Sequence, residues 1–228
     1  MKINQNRYKY RISFATTSPE MQRLWNGPVW REAPVLEVNC FRPESSVHCP
    51  KTLGKLLYNH ERIFVIFQVD DQYVRCSYRG FQDDVWKDSC VEFFVEPSGD
   101  KGYFNFEFNC GGALAASYVT DPFRVDGRLR EFVALTAEDD RSILRCASLP
   151  AIVDPEITEK LVWQLEFSIP FAVMEKYSGE MGPMKGQTWR ANFFKCGNET
   201  SHPHWVSWTP LTARNFHDPA SFGNIEFA

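Results

Sequence analysis

The chain has 228 residues, 43% of them apolar and 24% charged, long enough to bury a substantial core. Its 25 basic and 29 acidic residues leave a net charge of −4, and the Lys and Arg positions form no stripe, which excludes a nucleic-acid footprint. No stretch is apolar enough to read as a membrane helix, and aromatics at 15% favour strands and recognition surfaces.

The opening "MKINQNRYKYRISF" lacks the apolar segment of a signal peptide. With its unpaired cysteines, the chain as given reads as cytoplasmic, or as periplasmic or secreted if a targeting segment has been removed. The seven cysteines (40, 49, 76, 90, 110, 146, 196) are scattered, odd in number and without a C-x-x-C pair. That spacing argues against zinc and against a complete disulfide framework, leaving a Cys40–Cys49 bridge open in an oxidising compartment.

In chain order, "RIFVIFQVD" (62–70) is almost wholly apolar and predicts a central strand buried on both faces. "CVEFFVE" (90–96) and "YFNFEFN" (103–109) alternate with period two, and the turn-rich "PSGDKG" between them predicts a hairpin. Phe104, Phe106 and Phe108 then share one face, and Asn105, Glu107 and Asn109 the other. That second face is either a solvated surface or a binding surface. Further strands are expected at 112–119, 131–137, 142–150, 160–169 and 188–197, with a closing strand in "FGNIEF" and one helical piece, "PFAVMEKYS" (170–178). There is no repeat or linker. The expectation is a single all-β domain over residues 1–228: an antiparallel β-sandwich, jelly-roll-like, with one short helix.

Two segments carry candidate chemistry. "DDVWKDSCVEFFVEP" (83–97) sets Trp86 among acids at the mouth of a strand, six residues before Glu92. "VSWTPLTARNFHDPASFGNIEF" (206–227) contains Phe216, His217 and Asp218 before the last strand. Trp86 either folds back into the core or stands out as a platform for a flat ligand.

Together, in this order, these motifs resemble those of the family 9 carbohydrate-binding modules, β-sandwich domains often attached to xylanases. The likeness extends from "WNGPVWREAPV" to the last strand. The resemblance implies non-catalytic binding of a mono- or oligosaccharide, with one sugar ring clamped between two aromatic walls. Carried over, Trp86 and Phe216 are the walls, Glu92 accepts from hydroxyls, and Asn105, Glu107, Asn109 and His217 lie nearby. The chain departs from the family in having Phe rather than Trp as second wall, and Glu107 where the family keeps an Arg.

The family's structural calcium makes Asp83, Asp84 and Asp88 candidate oxygen ligands; no other cofactor is expected. Three rival readings follow from the residues. Glu92 and Glu107 could form a glycosidase carboxylate pair. His202 and His204 could contribute to a metal site. Met174, Met181 and Met184 supply potential axial ligands of a haem-binding sandwich.

Overall fold

The computed structural model describes residues 8–98 and 101–228. The tip of the "PSGDKG" turn, at 99–100, falls outside the described residues, but the strands on either side pair as a hairpin.

Sixteen strands occur in chain order: β1 Lys9–Phe14, β2 Leu36–Val38, β3 Cys40–Phe41, β4 Lys51–Tyr58, β5 Arg62–Asp71, β6 Val74–Cys76, β7 Cys90–Ser98 and β8 Gly102–Asn109; then β9 Leu114–Val125, β10 Arg128–Ala134, β11 Leu144–Ala147, β12 Val153–Ile157, β13 Leu161–Pro170, β14 Thr188–Cys196, β15 Trp205–Ser207 and β16 Gly223–Phe227. The helices are α1, Ala137–Ser142, and α2, Phe171–Ser178.

Hydrogen bonding runs in the order β10-β9-β8-β7-β14-β16-β1-β4-β5-β13-β11. Strand β1 joins the two layers. Its first four residues pair with β16 and its last two with β4, parallel in both cases. A strand that changes sheets in this way makes a sandwich corner. The front layer is β10-β9-β8-β7-β14-β16, and the back layer is β4-β5-β13-β11 with β2 on β4.

The expected sandwich is present, with two refinements. Strand β1 makes the sheet mixed rather than purely antiparallel. A second helix, α1, follows β10 where the 131–137 strand was expected to finish. Thr136 and Asp139 form a capping box there, satisfying the first free backbone donors. Helix α2 starts where the sequence predicts, with Pro170 as its N-cap.

Alternation decides what is buried. Val91, Phe93 and Val95 of β7, Phe104, Phe106 and Phe108 of β8, and Phe193 of β14 turn inward. They meet the back layer directly: Phe108 stacks on Phe167 at 4.3 Å, and Phe67 lies 6.3 Å from Phe193. Each such ring removed from water contributes about 1.5–3 kcal/mol. Strand β5 is buried along most of its length, as its unbroken apolar run requires.

One polar cluster interrupts this core. Lys195 of β14 is fully buried and its Nζ lies 3.4 Å from Asp71 Oδ2, at the end of β5 in the opposite layer. Trp163 Nε1 of β13 donates to the same oxygen at 2.9 Å, and His48 Nε2 reaches Asp71 Oδ1 at 2.8 Å. Burial opposes ionisation of Asp71. The Lys195 charge and the two hydrogen bonds outweigh it, holding the carboxyl well below the usual carboxylate range. His204 completes the cluster, 2.6 Å from Lys195 Nζ through Nε2 and 2.9 Å from the His202 carbonyl through Nδ1. An ammonium only donates and a carbonyl only accepts, so His204 is neutral with its proton on Nδ1. Burial, helped by the Lys195 charge, lowers its pKa to about 3.

His202 and His204 therefore do not form the metal pair their spacing suggested. His202 stacks on Tyr73 at 3.6 Å, and both nitrogens of His204 are engaged by protein. The three methionines do not converge on one pocket either. Met174 is buried in the main core, Met181 packs against it, and Met184, also buried, lines a cavity near the C-terminus.

Removing one member of a buried ion pair leaves a desolvated charge without a partner. Lys195→Met should therefore destabilise the domain by roughly 3–5 kcal/mol, and adding Asp71→Asn should restore part of that loss. Urea unfolding of the single and double variants measures both. A cost below about 1 kcal/mol for Lys195→Met would show that the pair does not hold the layers together.

Candidate functional site

The outer face of the front layer carries a groove of ≈ 1040 Å³. Its floor is built from residues that alternate with the core Phe: Glu92 of β7, Asn105 and Glu107 of β8, Ala115 and Ser117 of β9, and Cys196 of β14. Loops and the β9–β10 hairpin make the walls, with Trp86, Trp205, Phe216, Phe123 and Phe132 as the aromatic members. A second cavity of ≈ 780 Å³, near the C-terminus, is lined by Met184 but by none of the residues expected to bind sugar.

The acidic loop explains where Trp86 stands. Asp83 accepts from the backbone N–H of Arg79 and Gly80, at 3.1 and 2.6 Å. Asp88, fully buried, accepts from Ser77 N and Tyr78 N, both at 2.9 Å, and from Asn109 Nδ2 at 3.0 Å. Asp84 pairs with Lys87 at 3.0 Å. These acids hold the loop, and they do not converge on one centre as the calcium reading required; among the described residues they form no ligand cluster.

Within the loop, Val85 to Lys87 make one 3₁₀ turn. Val85 is the buried anchor, so Trp86, its neighbour on the turn, points away and stays 36% exposed. The turn is fastened to the loop after β14, where Glu199 N donates to Lys87 O at 2.8 Å. Trp86 thus stands at the groove wall and is not a core plug.

Phe216 reaches the groove as expected, but with one ring face covered. It stacks on Phe194 at 4.1 Å with an interplanar angle of 11°. His217 also lines the groove, sharing a 2.7 Å hydrogen bond with Tyr103 Oη through Nδ1. Burial, reinforced by the nearby Arg124 charge, lowers its pKa to about 3, so it is neutral at physiological pH.

Asn109 is a correction. Its side chain is fully buried, donates to Asp88 and to Tyr78 O, and accepts from Ala113 N at 2.9 Å. It braces the Trp86 loop and does not line the groove. Glu96, further along β7, is paired with Arg190 at 2.9 Å, away from the groove.

The two floor carboxylates stand directly opposite each other, Glu92 on β7 and Glu107 on β8. Glu92 Oε1 accepts from Cys196 Sγ at 3.2 Å and lies 4.0 Å from Cys90 Sγ. Burial raises its pKa well above the carboxylate range, and the neighbouring thiol and Glu107 add to the effect. Glu107 accepts from Asn105 Nδ2 at 2.8 Å, and burial pushes it up to about 7 against the opposing pull of that bond and of Arg124. Asn105 Oδ1 is buried beside them without a partner in the protein.

Several groove residues had no signal in the sequence: Gln82, Arg124, Asn198, Trp205 and Arg214. Arg214 lies 4.4 Å above the Trp205 ring, whose Nε1 donates to Asn198 Oδ1 at 2.7 Å. Guanidinium donors are thus present in the groove although position 107 is Glu: Arg214 comes from a loop and Arg124 from the end of β9. Gln82 takes a left-handed φ of 68° and ties the wall together through Ala116 O, Leu135 O and Ala116 N. The aromatics of "HWVSW" and the Arg two residues before Phe in "LTARNF" were the available hint, but the residues outside strands carry no periodicity to orient them.

A family model, carbohydrate-binding family 9, matches residues 30–227. The chain belongs to that family, which consists of non-catalytic carbohydrate-binding modules. Among solved structures, a Bacteroides uniformis protein proposed to bind carbohydrate is 27% identical with a TM-score of 0.84, covering 96% of this chain and 99% of its own. A family 9 module of Caldicellulosiruptor kristjanssonii in complex with glucose is 12% identical, with a TM-score of 0.65 over 97% of this chain and 96% of its own. The cellotriose complex of a family 9 module from that organism gives 12% identity and a TM-score of 0.64, over 96% and 93%. No curated protein matches the chain.

Membership of a non-catalytic family removes the hydrolase reading of Glu92 and Glu107, and the haem reading has no support in the groove, which no methionine lines. The raised pKa of Glu107 has a consequence for stability. A carboxyl whose folded pKa exceeds its unfolded value stabilises the fold at low pH and loses that contribution as pH rises through the folded value. Glu107→Gln should therefore melt higher than wild type at pH 8, with the gap closing below about pH 4.5. Thermal melts at both pH values check this, and a variant less stable at pH 8 would show that ionised Glu107 is held by its neighbours.

Proposed function

We propose that this domain binds a mono- or oligosaccharide in the groove of the front layer, with Trp86 as the stacking platform and the floor as the hydroxyl-reading surface. The observation that carries it is Asn105 Oδ1, a buried acceptor without a protein partner, on a side chain bonded through its amide nitrogen to Glu107 and in the same groove as the exposed Trp86. A sugar ring needs this combination. Its C–H face stacks on an aromatic ring, while its rim of hydroxyls needs directional donors and acceptors.

The acceptors are Asn105 and Glu107, and the donors are Arg214, Arg124 and Asn198. Phe216 closes the opposite side with an edge and one face, the other face being taken by Phe194. The glucose and cellotriose complexes of structurally similar modules support a saccharide ligand. The open groove accommodates more than one sugar unit, and the family's association with polysaccharide breakdown fits a targeting role in which catalysis is performed elsewhere.

Calorimetric titration with glucose, cello-oligosaccharides and xylo-oligosaccharides tests the reading. Trp86→Ala should weaken any bound sugar at least tenfold, about 1.4 kcal/mol, and Asn105→Ala should weaken it comparably. Asn109→Ala should lower the melting temperature more than it lowers affinity. Undiminished affinity in Trp86→Ala would move the site away from this groove.

A further inference from the structure

We infer that the floor of the groove contains a thiolate-rich site for a zinc-like divalent metal ion, formed by Cys90, Cys196 and Glu92. Strands β7 and β14 pair antiparallel with Cys90 directly opposite Cys196, and Glu92 is two residues along the same strand as Cys90. One ligand atom from each of the three lies within 4.8 Å of the others.

The spacing suits a metal. Zinc holds thiolate sulfur at about 2.3 Å and carboxylate oxygen at about 2.0–2.2 Å, so ligands at tetrahedral corners lie roughly 3.5–3.8 Å apart. Cys196 Sγ to Glu92 Oε1 is 3.2 Å and Cys90 Sγ to Glu92 Oε1 is 4.0 Å, on either side of that range. Two thiolates and one carboxylate favour zinc over calcium or magnesium, which select oxygen.

Rigidity also argues for a site. All three residues are almost fully buried, and their backbones are fixed by the β7–β14 ladder in the middle of the front layer. As thiols, Cys196 donates to Trp86 O at 3.5 Å and Cys90 to Val91 O at 3.7 Å, and both bonds are given up when a metal replaces the protons. Three protein ligands leave one coordination position. Because Cys196 and Glu92 line the groove, that position faces it and is open to water or a ligand hydroxyl. Loading the site exchanges thiol protons for the metal, leaving Glu107 and Asn105 as the free polar groups of the floor.

The inference is independent of the saccharide reading. Its test uses the full chain, kept reduced with a phosphine and stripped with a chelator. Titration with Co²⁺ should give thiolate-to-cobalt charge-transfer absorption saturating near one equivalent, and Zn²⁺ should displace it and raise the melting temperature. Cys90→Ser and Cys196→Ser should each abolish the charge-transfer band. Glu92→Gln, nearly the same shape, should keep the band and weaken Zn²⁺ binding roughly tenfold or more. Cys49→Ser, on the surface, should change nothing. The inference is overturned if no band appears, if the band survives in Cys90→Ser or Cys196→Ser, or if Glu92→Gln binds Zn²⁺ as tightly as wild type. It is equally overturned if the protein as isolated carries a Cys90–Cys196 disulfide. Should the serine variants fail to fold, the Glu92→Gln comparison decides alone.

Discussion

The ion pair between Lys195 and Asp71 is the constraint on which the site depends. A charged ammonium in a core of phenylalanines is tolerated only with a carboxylate and hydrogen-bond acceptors within reach. Lys195 comes from the front layer, Asp71 from the back, and Trp163 and His204 close the remaining contacts. The residue after Lys195 is Cys196, on the groove floor. The pair that clamps the layers together thereby fixes the end of β14, and with it the loop carrying Asn198 and the turn carrying Trp86.

A second constraint acts through the acidic loop. Its aspartates serve backbone amides: Asp83 those of Arg79 and Gly80, Asp88 those of Ser77 and Tyr78. Val85 then anchors the 3₁₀ turn, and a turn with one residue buried must present its neighbour outward. The exposed Trp86 is a consequence of local geometry, since the loop cannot bury its ring. Asn109 belongs to this bracing system, although strand alternation alone places it with Asn105 and Glu107.

The groove floor combines groups that are unfavourable in a dry environment. Two facing carboxylates, an asparagine oxygen without a partner and two thiols lie side by side, and burial drives the carboxyls towards their protonated forms. A stability-optimised face would exclude such a set. Its presence on the outer face of an otherwise well-packed sheet fits the binding role proposed for this groove.

By itself the sequence determined the sandwich, because period-two alternation assigns each strand residue to one side and a strand has only two sides. Through two motifs resembling family 9 modules and the alternation of β8 it also pointed to Trp86, Glu92, Asn105, Glu107, Phe216 and His217, which the fold brings to one groove. Only the tertiary structure decided the rest. It moved Asn109 into the loop brace, gave the groove its cations through Arg124 and Arg214, and set Cys90 opposite Cys196. Cysteine spacing along the chain argued against a zinc site because local motifs bring ligands together within a turn or two. Strand pairing does so across more than a hundred residues, and registry between distant strands is fixed by the packing of the whole core.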